Sequence, residues 1–405
     1  MHPLLKEARA GGGWRGRQAL VAMQVALCTM LLVGAGLTIL TLQRLQSINA
    51  GFESSHIVTF SVDTDMAKYK PEQAAELQRR LLEGARELPD VESAAISSRG
   101  LMRGTGLKMT VARSGESAGP EEFMNTSIHA VSPEYFATMR VAWLAGRNFT
   151  GREDPTATPK PVIVNETFMR RFGAGREVLG AKFGSVLMNG KPAKPSFEVI
   201  GIVRNTKYRS LREPFQPIIY KLPILGDSFI VHLRTRSSPE SVIAPMRKML
   251  AGLDPRLSDI EVTTLASEVA ASLWAERVAA FLATVFSAAA AVIVAAGLYA
   301  LVAFAVMQRR REIGIRMALG ALPRNVVRLM FARAAWLAAT GVTLGLVCSW
   351  AVAPQISSIL YEVKPRDLTV LVISAALAFS ITATAALIPS LRAARIHPAS
   401  LLRQE

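Results

Sequence analysis

The chain has 405 residues, of which 50% are hydrophobic, 7% aromatic and 19% charged, and its net charge is +16. A disordered chain is excluded, because disorder requires few apolar residues and a high charge density. A wholly soluble protein is disfavoured as well, since the apolar residues are concentrated in four stretches without Asp, Glu, Lys or Arg.

Each uncharged stretch is long enough to form a membrane helix. The stretches are Gln18–Gln43, Val278–Gln308, Ala334–Tyr361 and Leu368–Leu391, with 26, 31, 28 and 24 residues. A helix needs roughly 20 mostly apolar residues to cross the hydrocarbon core of a bilayer. The sequence therefore predicts four membrane helices, at residues 18–43, 278–307, 329–353 and 368–390. The first is too long for the apolar region of a signal peptide and is predicted to be a retained anchor.

The positive charge is concentrated in short segments next to these helices. Residues 1–17, 308–328 and 391–405 hold 13 Lys and Arg residues and three acidic ones, which gives +10 of the net +16. Such flanks stay in the cytoplasm, whereas long domains are translocated largely regardless of charge. We therefore expect both termini to be cytoplasmic, and residues 44–277 and the short loop 354–367 to lie outside. Because the charge flanks membrane helices, the expected partner is the lipid bilayer and not a nucleic acid.

Residues 44–277 have the pattern of a mixed α/β domain, so the fold class is an α+β membrane protein with four transmembrane helices. Strand patterns occupy residues 56–63, 91–97, 159–165, 197–204, 229–234 and 260–262. Helical spacing predicts helices over 71–88 and 239–253. Segments 114–122 and 184–196 are rich in Gly, Pro and Ser, which predicts loops.

Helical patterns also continue past the membrane stretches. The first runs beyond Leu42 to Ile48, and a helical pattern from Thr264 to Arg277 runs into the second without Pro or Gly. Two such helices would form a stalk that carries the outer domain and transmits rigid-body motion. The alternative is a short overhang without a mechanical role.

The cytoplasmic loop 308–328 has the pattern of two helices that meet at an elbow. Gly320 followed by Pro323 fits the end of one helix, a turn and the start of the next. A basic anchor on anionic headgroups would account for the arginines. It accounts less well for Gly314 and Gly320, each of which weakens a surface helix by up to about 1 kcal/mol. An elbow that fits the groove of a partner accounts for both.

Small residues in the membrane stretches are candidates for close helix packing. The first stretch contains Gly34 and Gly36, and the third contains Gly341 and Gly345 at a small-xxx-small spacing. Such residues allow the backbones of two membrane helices to approach each other. The alternative is a chance occurrence in helices rich in Ala and Gly.

Motifs for catalysis, metals and cofactors are absent from the sequence. It contains no Gly-x-x-x-x-Gly-Lys-Ser/Thr loop for nucleotide phosphates and no Gly-x-Ser-x-Gly nucleophile elbow. The five histidines are far apart and form no pair at the spacing of metal ligands. We therefore expect no enzyme activity, cofactor or metal in this chain, and ATP hydrolysis would have to come from another polypeptide.

The segment Arg311-Glu-Ile-Gly-Ile-Arg-Met-Ala-Leu-Gly-Ala321 resembles the cytoplasmic signature of MacB/FtsX-type ABC transporter permeases. Residues 131–139, 144–150, 162–172 and 199–211 resemble the extracytoplasmic domain of this family, and residues 389–403 resemble its tail. The resemblance is strongest to one unit of the duplicated orphan permeases, in which two four-helix units lie in tandem. This chain holds one unit and begins much as their second unit does. A half-length paralogue and a truncated gene therefore both remain open.

The resemblance implies a multi-pass protein of the bacterial inner membrane. Residues 44–277 would be a MacB-like periplasmic core domain with its stalk, and residues 278–401 an FtsX-like permease domain. The implied partners are a separate ABC ATPase, a second permease unit in a homodimer or heterodimer, and a periplasmic adaptor. By position, the residues that face the ATPase would be Arg311, Glu312, Ile313, Gly314, Ile315, Arg316, Leu319, Gly320 and Ala321.

Two functions are compatible with this resemblance, and an inert paralogue is the third alternative. The first is a permease subunit that passes ATP-driven motion to the outer domain for export or extraction of a substrate. The second is a transmembrane regulator that does not transport and instead controls an extracytoplasmic enzyme. The length of the outer domain favours transport, because it is nearer to that of the exporters than to a minimal regulator.

Overall fold

The structure is a computed structural model. It describes residues 4–63, 69–103, 107–113, 123–153, 158–173, 175–186, 195–222, 228–257, 260–308, 323–357 and 360–394. The chain divides into two compact units. A membrane unit consists of Met1–Ser47 and Ala275–Glu405, and an outer unit consists of Ile48–Trp274.

Helices and strands are numbered in chain order. The helices are α1 (Leu4–Gln46), α2 (Pro71–Glu87), α3 (Tyr135–Thr138), α4 (Glu166–Gly173), α5 (Ile243–Leu253), α6 (Leu265–Ser272), α7 (Trp274–Gln308), α8 (Pro323–Val352) and α9 (Leu368–Ala394). The strands are β1 (Ile57–Asp63), β2 (Val91–Ser97), β3 (Leu107–Arg113), β4 (Met124–Ala130), β5 (Trp143–Gly146), β6 (Lys160–Asn165), β7 (Lys182–Ser185), β8 (Phe197–Val203), β9 (Ile218–Lys221), β10 (Ser228–Thr235) and β11 (Glu261–Thr264).

Four helices of the membrane unit are long and apolar enough to cross a bilayer. The spans are Gly16–Gln46 in α1, all of α7, Val327–Val352 in α8 and Leu368–Arg392 in α9. The prediction of four membrane helices, with the large mixed α/β domain between the first and the second, is confirmed. The first two spans extend further than the sequence predicts, because a helix continues beyond its apolar stretch wherever no residue ends it.

Glycines bring α8 and α9 against α1. A Cβ atom built on Gly341 would lie 2.6 Å from the Val25 Cβ, and one on Gly345 would lie 2.5 Å from the Ala26 carbonyl oxygen. On α1 itself, a Cβ on Gly36 would lie 2.7 Å from a methyl carbon of Val370 in α9. Such approaches leave no room for a side chain, so three of the four glycines singled out from the sequence occupy contacts between helices of this chain.

Gly34 lies in a different environment. Within the described part of the chain, no heavy atom lies within 4 Å of a Cβ built on Gly34. Gly34 and Gly36 are two positions apart along α1, and only Gly36 lies against a neighbouring helix, because positions i and i+2 on a helix point in directions about 200° apart.

Helix α7 joins the bundle through longer side chains. Val294, Leu298 and Val302 pack in one apolar cluster with Val25 of α1 and Met330 of α8. On other faces of α7, large side chains such as those of Phe281, Phe286 and Val292 are exposed in the single chain. In a bilayer, exposed apolar side chains on a membrane helix are solvated by lipid.

The outer unit contains two sheets. One has four strands in the order β11-β1-β10-β2, and α2 and α5 pack on it through a core that includes Phe60, Leu81, Val231 and Met246. The other has the order β5-β8-β6-β9-β4-β3-β7, and the pairing of β7 with the start of β8 closes it on itself. Helix α4 contributes Phe168 to the core of this closed sheet.

The patterns of residues 56–63, 71–88, 91–97 and 197–204 predict elements that the structure contains to within one residue at each end. Residues 239–253 begin with a short 3-10 turn before α5, and the last strand lies at Glu261–Thr264 instead of 260–262. The predicted loop at 184–196 begins inside β7. Residues 114–122, predicted as the other loop, lie outside the described residues.

The expected continuous helix from Thr264 into the second membrane helix is not present. Helix α6 ends at Ser272 and α7 begins at Trp274, and the intervening Leu273 has φ −102° and ψ 12°. Likewise, α1 ends at Gln46 and does not reach Ile48. Sequence periodicity does not reveal these ends, because neither Gly nor Pro marks them.

We predict that Gly345→Ala lowers the thermal stability of the membrane unit, by about 1–3 kcal/mol in the free energy of unfolding, because the added methyl group must displace the backbone of α1. The measurement is loss of helical signal on heating the purified chain in detergent. Gly34→Ala is the matched control and should be neutral or slightly stabilising, since Ala favours the helix over Gly. Equal melting of both variants would show that α8 does not pack on α1 as described.

Candidate functional site: the anchored ends of the outer domain

The outer unit begins and ends at neighbouring strands. Strand β1 follows α1 along the chain, and β11 leads through α6 to α7. The two strands pair antiparallel, with Val58 opposite Thr264 and Ser61 opposite Glu261. Strand β1 also pairs with β10 along its whole length, so it is an inner strand of the four-stranded sheet. Both chain ends of the domain are therefore hydrogen-bonded to one sheet.

A buried arginine fixes the segment that leads into β1. Arg234, in β10, is 1% exposed. Its guanidinium donates three hydrogen bonds to backbone carbonyls, from Nε to Thr138 at 2.7 Å, from Nη1 to Ser55 at 3.2 Å and from Nη2 to Glu53 at 3.0 Å. The planar fork of an arginine can serve several acceptors at once, which a lysine cannot do in the same way. Residues 53–55 are thereby tied to the middle of the sheet.

Further contacts hold the same segment. Arg140 Nη1 donates to Glu53 Oε2 at 2.7 Å. Hydrogen bonds from Ser55 and Arg140 lower the pKa of Glu53 below its ordinary value. Gly51 has a φ of +81°, and a Cβ there would lie 1.9 Å from the carbonyl oxygen of Asn205. Only glycine allows this approach, so the path of the connecting segment is fixed by sterics as well as by charge.

A second charged group fixes the other end of the domain. Glu268, in α6, is 9% exposed, and its Oε1 accepts hydrogen bonds from Arg103 Nη2 at 2.8 Å and from Thr59 Oγ1 at 3.3 Å. Burial raises the pKa of Glu268, and Arg103 opposes that shift. Thr264 is the N-cap residue of α6, and its side-chain oxygen accepts a hydrogen bond from the backbone N–H of Ser267. Since Thr59 lies in β1, α6 is tied to the strand at the opposite end of the domain.

Two histidines of the outer unit are fully buried. His129 lies in β4 and His232 in β10. His129 Nε2 is 3.1 Å from the Arg99 carbonyl oxygen, and His232 Nε2 is 2.7 Å from Ser97 Oγ, which itself donates to the Arg99 carbonyl. Both imidazoles therefore carry their proton on Nε2. Each Nδ1 has no hydrogen-bond partner among the described residues.

Aromatic rings surround these histidines. Tyr135 makes edge contacts with His129 at 5.3 Å and with His232 at 5.8 Å between ring centroids, and Tyr208 lies 4.9 Å from His129. Burial lowers the pKa of His129 to about 4 and that of His232 to about 3. Because a second proton would be buried without an acceptor, both histidines are neutral at physiological pH.

The residues proposed to face an ATPase, from Arg311 to Ala321, lie outside the described residues. Gly36, Gly341 and Gly345 lie at helix contacts, and Gly34 does not. Neither Arg234 nor Glu268 is among the functional residues that the sequence predicts. A signal for Arg234 exists in its strand, where a charged residue follows the segment Phe229–Leu233, which is apolar apart from His232. No group of three or more His, Cys, Asp or Glu residues suitable for a metal occurs in the part of the chain that the structure describes.

Two family models match the chain. Residues 25–249 match the MacB-like periplasmic core domain, and residues 284–398 match the FtsX-like permease C-terminal domain. The first match covers more than half of the chain, and together they show that the chain belongs to the MacB/FtsX-like permease family of ABC transporter systems. It is a multi-pass membrane protein whose large domain is extracytoplasmic.

Solved structures of domains from other proteins are similar to part of the chain. The periplasmic region of MacB from Actinobacillus actinomycetemcomitans is 13% identical, with 56% of this chain and 95% of that chain covered and a TM-score of 0.35. A domain of a permease protein from Porphyromonas gingivalis is 16% identical (52% and 90% covered, TM-score 0.32). The extracellular domain of the ABC-type transporter YknZ from Gram-positive bacteria is 13% identical (51% and 100% covered, TM-score 0.34). No curated protein matches the sequence.

We predict that Arg234→Met destabilises the outer domain by about 2–3 kcal/mol, because buried carbonyl groups lose their donor. The measurement is denaturant unfolding of the intact chain in detergent, followed by fluorescence. Arg236→Met changes an exposed arginine just after the same strand and should alter the free energy of unfolding by less than about 0.5 kcal/mol. An equally small effect at Arg234 would contradict its role as an anchor.

We also predict that the outer domain loses stability as the pH falls below about 6.5. Above that pH, His129 and His232 are neutral in both the folded and the unfolded chain. Between pH 6.5 and about 4 the unfolded chain binds protons that the folded chain excludes. The free energy of unfolding should then fall by up to about 1.4 kcal/mol per pH unit for each histidine.

The pH series compares the intact chain with the double variant His129→Gln and His232→Gln. Glutamine keeps an N–H donor and has no titrating nitrogen, so the part of the slope due to the histidines should disappear. His56→Gln, at an exposed histidine, is the control. Identical slopes for the wild type and the double variant would contradict the prediction.

Proposed function

We propose that this chain is the membrane-spanning subunit of an ABC transporter that passes the ATP-driven motion of a separate ATPase to its extracytoplasmic domain. In this proposal, the motion drives the export or extraction of a substrate. The observation that supports the proposal most directly is the attachment of both ends of the outer domain to one sheet, through β1–β11 pairing, Arg234 and Glu268.

The attachment matters because force enters the domain through these ends. A displacement of the segment before β1 acts on an inner strand, which is hydrogen-bonded on both sides. The sheet shares its core with α2 and α5. Closely packed elements shift as units and do not deform continuously. The outer domain is therefore built to follow its connecting segments as a rigid body.

The loop 308–328 is proposed to be the part of the chain that contacts the ATPase and receives its motion. Its Gly314, Gly320 and Pro323 favour two helices at an elbow, and its motif resembles the cytoplasmic signature of the family. Because these 405 residues contain no phosphate-binding loop for ATP, we propose that the ATPase is a separate chain. We expect a homodimer or heterodimer of permease units around that ATPase, and a periplasmic adaptor as a further partner.

The second candidate is a transmembrane regulator of an extracytoplasmic enzyme. It is favoured by the exposed edge strand β5, where Trp143 is 38% and Leu144 43% exposed. An apolar edge strand can bind a partner by adding a strand to the sheet. In that case the same motion would change the activity of the docked enzyme.

The test of coupling starts from the intact chain, purified with the ATPase that it retains and reconstituted in nanodiscs. We predict that Gly314→Val and Glu312→Gln each abolish stimulation of the ATPase while membrane insertion stays intact. Gly34→Ala, a membrane substitution without close contacts, should keep full stimulation. Normal stimulation in both elbow variants would refute the assignment of the elbow.

A variant in the outer domain distinguishes the transporter from the regulator. Glu268→Gln weakens the tie between α6 and β1 without touching the cytoplasmic side. For a transporter, this variant should hydrolyse ATP and export less substrate per ATP. For a regulator, a cell-wall or other extracytoplasmic enzyme activity should fall in cells, and no substrate should accumulate when the gene is deleted.

A further inference from the structure

A groove lies between α7 and α8 in the membrane unit. Its volume is about 640 Å³, and its walls include the apolar side chains of Leu298, Leu301, Val302 and Leu337. Three polar residues also line it: Gln18, Arg333 and Thr340. An apolar groove with a cation at one side is an amphipathic site.

Arg333 is the unusual member of this lining. It directly precedes the uncharged run Ala334–Tyr361 and is exposed. About 28 Å of helix separates it from Val352, at 1.5 Å per residue. That length is close to the hydrocarbon thickness of about 30 Å, which places Arg333 at the cytoplasmic boundary of the bilayer. A guanidinium at this depth reaches the phosphate region of the lipid headgroups.

No protein group neutralises Arg333 within the described part of the chain. It makes no hydrogen bond or ion pair there, and the acidic residues with described side chains in the membrane unit are Glu276, Glu362 and Asp367. These three lie at the ends of α7 and α9 and in the loop before α9, all on the outer side. A buried or interfacial cation is stabilised by an anionic partner, and the surrounding bilayer supplies one.

We propose that this groove binds an anionic phospholipid of the cytoplasmic leaflet, with its phosphate on Arg333 and an acyl chain along Leu298, Leu301 and Leu337. The apolar walls match an acyl chain, and the guanidinium matches a phosphate that carries two acceptor oxygens. Trp336, which lines the same groove and is 74% exposed, is the residue type that prefers the headgroup level.

A net negative lipid is favoured over a zwitterionic one. Arg17 and Arg328 lie towards the same cytoplasmic ends of α1 and α8, and both are exposed. Each basic residue near the surface attracts an anionic leaflet, whereas a choline headgroup places a positive charge beside its phosphate. Lipid binding in this groove does not depend on coupling to an ATPase. The lipid site can therefore be wrong while the proposed function is right, and the proposed function can be wrong while the lipid site is right.

The probe is brominated phosphatidylglycerol, compared with brominated phosphatidylcholine of the same chains, in nanodiscs that contain the intact protein. The readout is the part of the tryptophan quenching that disappears in Trp336→Phe. We expect phosphatidylglycerol to bind about fivefold better than phosphatidylcholine at this site. The preference should disappear in Arg333→Gln and persist in Arg328→Gln, which removes the same charge from the same helix outside the groove.

A second variant tests the apolar part of the site. Ala305→Phe fills the groove without changing its charge and should reduce the Trp336-dependent quenching by both lipids. A preference that survives in Arg333→Gln would overturn the proposal. So would competition by soluble glycerol phosphate, which would indicate an ion site without an acyl chain. Cross-linking of Trp336→Cys to a second copy, together with the absence of quenching, would show that a protein surface covers the groove instead.

Discussion

The pairing of β1 with β11 is the constraint on which the outer domain depends. A domain of more than two hundred residues inserted between two membrane helices must begin and end at nearby points. Neighbouring strands of a sheet lie about 4.8 Å apart, so the pairing meets this requirement within the fold itself. Because β1 is an inner strand, the ends of the domain are also part of its core and not of a frayed edge.

The hydrogen bonds of Arg234 and Glu268 fix the path of the segments that connect the outer domain to the membrane helices. A hydrophobic core resists unfolding but does not by itself fix the path of a connecting segment, since apolar contacts are not directional. Arg234 and Glu268 supply fixed geometry, because a buried charge is stable only where its hydrogen bonds are formed. The segment before β1 and the helix after β11 therefore have defined positions on the sheet. Such definition is what a part that transmits motion requires.

The sequence predicts the four-stranded sheet well because its strands are apolar and its helices amphipathic. Phe60, Leu81 and Val231 sit at the spacings from which strands and helices are recognised, and all three are buried together. The closed sheet was harder to predict. Strand β4 reads Met-Asn-Thr-Ser-Ile-His-Ala, a mostly polar segment, and it is an inner strand because it pairs with the preceding strand β3 on one side and with β9, which is distant in sequence, on the other. Local periodicity carries no information about such pairing.

The same limit applies to the candidate site. The small-xxx-small spacing of Gly341 and Gly345 is visible in the sequence, since both residues lie on one helix face. The partners of Arg234 are not visible, because Glu53, Ser55 and Thr138 are brought to it by two different connections. Residues tied by long-range contacts become recognisable only when the register of the sheet is known.

The membrane unit contains a contrast that bears on how motion would pass through it. Helix α1 approaches both α8 and α9 closely, at glycine contacts where a methyl group would clash. Helix α7 meets α1 at Gly297, where a Cβ would lie 2.7 Å from Oε1 of Gln24, the end of a flexible side chain and not backbone. Its other contacts in the bundle include the side chains of Val294, Leu298 and Val302. Side-chain contacts allow small sliding movements that backbone contacts at glycine forbid. Along the chain, α7 connects the loop 308–328 to α6, which carries Glu268. The helix with the least constrained packing therefore joins the proposed site of ATPase contact to the outer domain.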